Sequence, residues 1–299
     1  MTNRFPEWIR RSWGSGEDFR YTKELLKDLG LHTVCQSARC PNLGECWGRR
    51  TATMMLLGNV CTRSCRYCSV RTGRPEPVDH DEPARVAEAV RRLGVKHIVL
   101  TSVTRDDLAD GGAEHFAKTV EAVHAVNSGT TVEVLVPDFQ GNRAAIARVL
   151  DAEPEVFSHN IETVERLYTT LRSERYDYRL ALRVLSTARE LAPGAILKSA
   201  LMAGHGETAE EVKRTLSDLL DVGCAAVSIG QYLRPTKKQC KVVEFIHPGR
   251  FVAYENMAYE MGFKFAVAGP FVRSSYRSEE LMQQPFAQHA LRKKRRMCG

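Results

Sequence analysis

Past residue 50 the chain alternates between two hydrophobic rhythms. Short, nearly continuous apolar runs recur at 52–60 (ATMMLLGNV), 96–103 (KHIVLTSV), 131–139 (TVEVLVPDF), 155–162 (EVFSHNIE), 195–204 (AILKSALMAG) and 225–233 (AAVSIGQYL). Runs of this length read as buried strands. Between them the apolar residues fall at helical spacing. In 82–94, Val86, Ala87, Val90 and Leu93 share one face and Gly94 follows them. Phe116, Val120 and Val123 repeat the stripe, as do Val212, Leu216, Leu219 and Leu220. The pattern predicts amphipathic helices, with glycine as a C-terminal cap.

Six strand-then-helix units fit between residue 52 and about 262. Repeated units of this kind imply a parallel sheet with helical crossovers. An open doubly wound sheet would carry a glycine-rich phosphate loop after its first strand, and none is present. The expected fold is therefore α/β, a partial (β/α)6 TIM-type barrel with an open side, since six units are too few to close the eight-stranded form. Residues 51–262 would form it. Residues 1–50 and 263–299 would be N- and C-terminal extensions packed on the opening. In such barrels chemistry collects at the carboxyl ends of strands. Thr101-Ser102, His159-Asn160-Glu162, Lys198-Ser199 and Gln231-Tyr232 lie there.

No run of about 18 apolar residues suggests a membrane span, and the first residues lack the apolar core of a secretory signal. A cytoplasmic location is the expectation. The net charge is +7, to which the basic stretch RKKRRM at 292–297 contributes. That stretch is either a solvated end or an attraction for an acidic partner, and charge alone leaves both open.

The thiols change the picture. Six of nine cysteines lie between Cys35 and Cys68. A reducing compartment disfavours structural disulfides, so the clustering points to metal. Cys61, Cys65 and Cys68 are spaced C-x3-C-x2-C directly after the first strand run. Structural zinc closes with four ligands, commonly two separated pairs. Three thiolates suit a [4Fe–4S] cluster with one iron left open for a substrate. Arg63, Arg66 and Arg71 are placed either to offset the cluster's negative charge or simply as surface arginines. A second triad, Cys35, Cys40 and Cys46, is spaced C-x4-C-x5-C.

The first triad, with Tyr67 just before its last cysteine, resembles the signature of the radical S-adenosylmethionine superfamily. The second resembles the auxiliary-cluster motif of the lipoyl synthase family. The stretches TSVTRDDLADGGAEHFAKTV, VEVLVPDFQG, VFSHNIETVERLY, IGQYLRPT and VRSSYR resemble lipoyl synthase segments in the family's order, from about residue 30 to 277.

The resemblance implies two [4Fe–4S] clusters and S-adenosyl-L-methionine. Cys61, Cys65 and Cys68 would hold the cluster that cleaves the cofactor. Tyr67 would lie near its adenine. Cys35, Cys40, Cys46 and the hydroxyl of Ser275, second serine of Arg273-Ser274-Ser275-Tyr276, would hold the auxiliary cluster. That cluster would supply two sulfurs to C6 and C8 of an octanoyl group on a carrier-domain lysine. A hard oxygen among soft thiolates is the weaker link, so loss of the Ser275 contact is expected to begin cluster breakdown. The C-terminal segment must then fold back over the N-terminal extension. Implied partners are octanoylated lipoyl domains (2-oxoacid dehydrogenase E2 subunits and the glycine cleavage H protein), an electron donor such as ferredoxin or flavodoxin, and an iron–sulfur carrier protein. Neither nucleic acid nor membrane is expected.

The remaining residues have plainer alternatives. Without the family, RSSYR is a polar turn or a helix start. Thr101, Asn160 and Glu162 are cofactor candidates by barrel position, Glu162 toward a ribose hydroxyl; His159 and Asn160 serve equally as a satisfied core pair. Lys198 is a candidate for a substrate or carboxylate contact. Cys224 reads as a small buried hydrophobe, Cys240 and Cys298 as free thiols, and the DGGA of 110–113 as a turn. Two wordings depart from the family, Ala200 where glycine is frequent and His205 in place of an apolar residue, and the basic C-terminal stretch is longer. A biotin-synthase-like enzyme would lack the N-terminal triad, and a methylthiotransferase would need an added nucleic-acid-binding domain. A zinc-bearing RNA-binding protein would need paired ligands or stacking motifs, and neither is found.

Overall fold

The computed structural model describes residues 5–10 and 14–297, with side chains described as far as residue 291. The basic side chains of 292–297 and Cys298 lie outside the described residues. The described residues form nine strands: β1 (Thr53–Leu56), β2 (Val60–Cys61), β3 (Arg71–Thr72), β4 (His97–Ser102), β5 (Thr131–Leu135), β6 (Val156–Ser158), β7 (Ile196–Ala203), β8 (Ala226–Gln231) and β9 (Phe265–Gly269). All but β2 and β3 form one parallel sheet in chain order. The helices are α1 (Glu17–Asp28), α2 (Val34–Ser37), α3 (Leu43–Gly48), α4 (Glu82–Leu93), α5 (Ala113–Val126), α6 (Arg143–Asp151), α7 (Tyr168–Leu171), α8 (Tyr178–Leu191), α9 (Ala209–Asp221), α10 (Pro248–Met261), α11 (Glu279–Met282) and α12 (Pro285–Met297).

All six expected strands form. A seventh sheet strand, β9, lies inside the stretch assigned to the C-terminal extension. Its sequence, FAVAG, is short and built of small residues, so its hydrophobic signal is weak. Helix boundaries follow capping chemistry. Gly94 ends α4 in the left-handed region, and Thr208 with Glu211 forms a reciprocal capping box on α9.

The sheet is a partial barrel because β1 and β9 each pair on one side only. The N-terminal extension covers the free edge of β1, through an antiparallel bridge from Thr33 to Met54 and a Met55 amide bond to His32 O at 2.9 Å. At the other end, Leu281, Met282 and Ala287 pack on the first residues of β6 to β9, so the C-terminal helices plug the base. The connection before them, a strap over residues 270–278, crosses the mouth.

Inside the barrel, Lys198 is 1% exposed and donates to both Glu133 oxygens at 2.9 Å. Ser158 also donates to Glu133. Burial pushes the Glu133 carboxyl up, but Lys198 and His97 outweigh it and hold it at about 2. Lys198 therefore meets a carboxylate of its own chain, which corrects its candidacy as a substrate contact. Cys224 is a buried small side chain as expected. Among the described residues no helix is long and apolar enough to cross a membrane.

Candidate active site

Two thiol triads face one cavity of about 380 Å³ at the mouth of the barrel. The first sits on the loop after β1. Here Leu57 takes a left-handed φ of 65° and Gly58 one of 87°, which turns the chain out of the strand. Such a φ is unusual for leucine. It is held by Glu82, whose Oε2 accepts the Leu57 amide at 2.9 Å and lies 2.6 Å from His115 Nε2. Gly112 makes room, since a Cβ there would stand 2.3 Å from Leu57 Cδ1. The loop is then pinned by the Arg66 amide to Leu171 O and by Gln239 Nε2 to Cys68 O. The Arg63 amide donates to Cys61 Sγ at 3.4 Å.

The second triad is assembled from the N-terminal extension. Thr33 caps α2, which carries Cys35; Cys40 follows with its amide on Cys35 O at 3.0 Å; α3 carries Cys46. The strap lies against it. Asn42 Nδ2 donates to Phe271 O at 2.7 Å, Tyr276 Oη to Glu45 at 2.9 Å, and Thr53 Oγ1 to Ser275 Oγ at 2.8 Å. Gly230 permits this approach, because a Cβ on it would lie 2.0 Å from Val272 O. The C-terminal segment does fold back over the N-terminal extension.

Within each triad the sulfurs act on one another. Cys46 is raised to about 12, first by burial and then by Cys35 and Cys40. Cys68 is raised to about 12 by burial, with Cys65 and Cys61 adding to it. Burial likewise raises Cys35 to about 11. Thiols held up in this way become thiolates by taking a metal. Among the described residues no three His, Cys, Asp or Glu side chains crowd round a point as ligands of one ion would. A cubane asks for a different layout, one ligand per iron at separate corners. The cavity is also furnished for a polar occupant. Asn42 Oδ1, Ser102 Oγ, His159 Nε2 and Arg172 Nε are buried, find no partner among the described residues and belong to residues that line it. Buried polar groups ordinarily do find one. The donor set and these atoms fit two clusters and a polar cofactor.

Comparison with known proteins decides the family. The Radical SAM superfamily profile matches residues 55–219. The lipoyl synthase of Caldanaerobacter subterraneus subsp. tengcongensis is 52% identical over 93% of this chain and 97% of its own length. That of Thermus thermophilus is 48% identical over 92% and 86%. The mitochondrial lipoyl synthase of Drosophila pseudoobscura pseudoobscura is 46% identical over 93% and 76%. The chain belongs to the lipoyl synthase family. Solved structures agree on the fold. Streptococcus suis SuiB bound to S-adenosylmethionine superposes with a TM-score of 0.56 at 10% identity, covering 84% of this chain and 60% of that one. Methylornithine synthase (PylB) gives 0.54 at 13%, covering 80% and 73%.

Against the lipoyl synthase pattern, every cluster and cofactor candidate reaches the same cavity: Cys35, Cys40, Cys46, Cys61, Cys65, Cys68, Ser275, Tyr67, Thr101, Asn160 and Glu162 all line it. Thr101 does so with its hydroxyl committed to Leu135 O at 2.9 Å. Asn160 bridges, donating to Glu162 Oε1 at 3.2 Å and accepting from Ser274 Oγ at 2.9 Å. Glu162 is raised by burial, against the pull of Arg172. His159 is half satisfied. Its Nδ1 donates to Val136 O at 2.8 Å, and burial lowers it to about 4, so it stays neutral. Gln231 is tied up in backbone bonds to Glu244 and Ile246, and Tyr232 Oη donates to Cys240 O.

Of the three arginines, Arg66 and Arg71 take the surface alternative and Arg63 takes neither. Arg63, 4% exposed, is clamped by Asp106 at 2.7 Å and Asp138 at 2.6 Å, so its charge is already matched. Arg66 and Arg71 are exposed. The cation facing the first triad is Arg172, which sequence reading missed. It donates to Tyr67 Oη at 2.9 Å, stacks 3.5 Å from the Tyr176 ring centre and favours the Cys65 thiolate. Only its place in the helix-poor stretch after VERLY could have flagged it.

Proposed function

We propose that this cavity is where an octanoyl chain, carried on a lysine of a lipoyl carrier domain, receives sulfur at C6 and C8. The enzyme is a radical S-adenosylmethionine sulfurtransferase that makes the lipoyl cofactor. The observation that carries the site is the shared cavity: both triads and Ser275 open on it. When bound, a reduced [4Fe–4S] cluster on Cys61, Cys65 and Cys68 with S-adenosylmethionine supplies hydrogen abstraction, and a second on Cys35, Cys40, Cys46 and Ser275 supplies sulfur.

The chain's own groups do the rest. Arg172 fixes Tyr67 against the cofactor end, and Asn160 and Glu162 offer an amide and a carboxylate to its polar groups. Val99, Val103, Leu135, Val136 and Val272 line the cavity with aliphatic surface suited to an alkyl chain. The volume lies in the usual range for small-ligand pockets. A one-electron donor such as ferredoxin or flavodoxin and an iron–sulfur carrier complete the expected partners. Anaerobic turnover with an octanoyl-lysine peptide, cofactor and reductant tests the reading. Mass spectrometry should find two sulfurs gained and 5′-deoxyadenosine formed; a peptide left unchanged while the cofactor is cleaved would refute it.

A further inference from the structure

Thr53 lines the cavity beside the auxiliary site. It opens β1, is 6% exposed and is held in register by its pairing with Val99. Its hydroxyl donates to Ser275 Oγ at 2.8 Å, across 222 residues of sequence. A residue of the barrel's first strand thus meets one of the four groups assigned to the auxiliary cluster, from the opposite end of the chain.

The backbone around Ser275 is already fixed by the Asn42 bond to Phe271 O, the Ser274 bond to Asn160 and the Tyr276 bond to Glu45. What these leave undecided is the direction of the Ser275 hydroxyl, since a serine side chain has three staggered choices. Threonine on a strand is stiff at χ1, so its donor occupies a set place. An oxygen that accepts from Thr53 keeps further acceptor capacity, which is what a metal-binding oxygen needs. We propose that Thr53 is a positioning residue: its hydroxyl aims the Ser275 oxygen at the auxiliary cluster. The inference rests on the reading of Ser275 as that cluster's oxygen ligand.

The test compares cluster-loaded wild type with Thr53→Val, Thr53→Ser and Ser275→Ala. The readouts are chelator-driven release of auxiliary iron and the Mössbauer spectrum of that cluster, with melting temperature as a fold control. Thr53→Val should release auxiliary iron about tenfold faster, the scale of one lost charge-assisted hydrogen bond. Thr53→Ser should restore the wild-type rate and spectrum. If valine crowds the site and lowers melting, Thr53→Ala gives the same reading without the added bulk. Wild-type release from Thr53→Val or Thr53→Ala, beside fast release from Ser275→Ala, overturns the role of Thr53. Wild-type release from Ser275→Ala overturns the serine ligand itself, and this inference with it.

Discussion

The two thiol triads reach one cavity by opposite routes. Cys61, Cys65 and Cys68 sit on a single loop of eight residues that leaves the barrel's first strand, and the barrel core itself holds that loop through Glu82, His115 and Leu57. Cys35 and Cys46 sit on short helices outside the barrel with Cys40 on the link between them, and their proposed fourth ligand arrives from the far end of the chain over the strap. One end is a local structure stiffened by its surroundings. The other exists only once the whole chain has closed. The difference suits the chemistry proposed for each: a site that must survive every turnover is built from one rigid loop, and a site that gives up its contents is stitched from several weak bonds.

The comparison can be broken at either end. Cys65→Ala should take sulfur insertion to background and leave about four of about eight irons bound; iron analysis beside mass spectrometry checks both at once. Gly230→Ala acts on the other end without touching a ligand. The new methyl would drive the Val272 carbonyl outward and shift the strap. Lipoyl formation should fall by about 10–100-fold, with cofactor cleavage retained.

Core changes should cost stability and spare both ends. Glu133→Gln strands Lys198 as a buried charge, at about 3–5 kcal/mol in chemical denaturation. Adding Lys198→Met should recover part of that. His205 stacks on Tyr232 at 4.2 Å, and burial holds it neutral down to about 4 against an ordinary 6.5. The unfolded chain therefore takes up the proton first as pH falls. Stability is full above about 6.5 and declines toward 4, by up to about 1.4 kcal/mol per pH unit. His205→Phe should remove that share of the acid slope, read from denaturation midpoints across the range. The smallest effect belongs to Arg49 and Glu279, a partly exposed pair at 3.0 Å between the residue after α3 and the first residue of α11. Arg49→Ala should cost under about 1 kcal/mol.

The same contrast explains what could be read from the sequence. The barrel was legible because its signal is local: apolar runs and helical stripes repeat within a few residues of each other. The first triad was legible for the same reason. The second needed the family resemblance, because nothing near RSSYR says that it bonds to Thr53 and Glu45, more than 220 residues earlier. The misreadings were failures of partner rather than of type. Lys198 is not at the carboxyl end of its strand as expected: it is the third residue of β7, below the cavity, and its partner is Glu133 on a strand two places away in the sheet. Arg63 stands beside the cysteines in sequence, yet Asp106 and Asp138 claim it. Arg172 does the charge work from about a hundred residues further on. Strand β9 was passed over because small residues carry little hydrophobic signal.

The strap over the barrel mouth has a consequence for how the protein is made. A ribosome adds about 5–20 residues per second, and 222 residues separate Thr53 from Ser275. The N-terminal thiols are thus made on the order of ten to forty seconds before the serine proposed as their oxygen partner. A cluster delivered to the proposed auxiliary site during that interval would meet an unfinished cradle, so the site is complete only after the strap has been made.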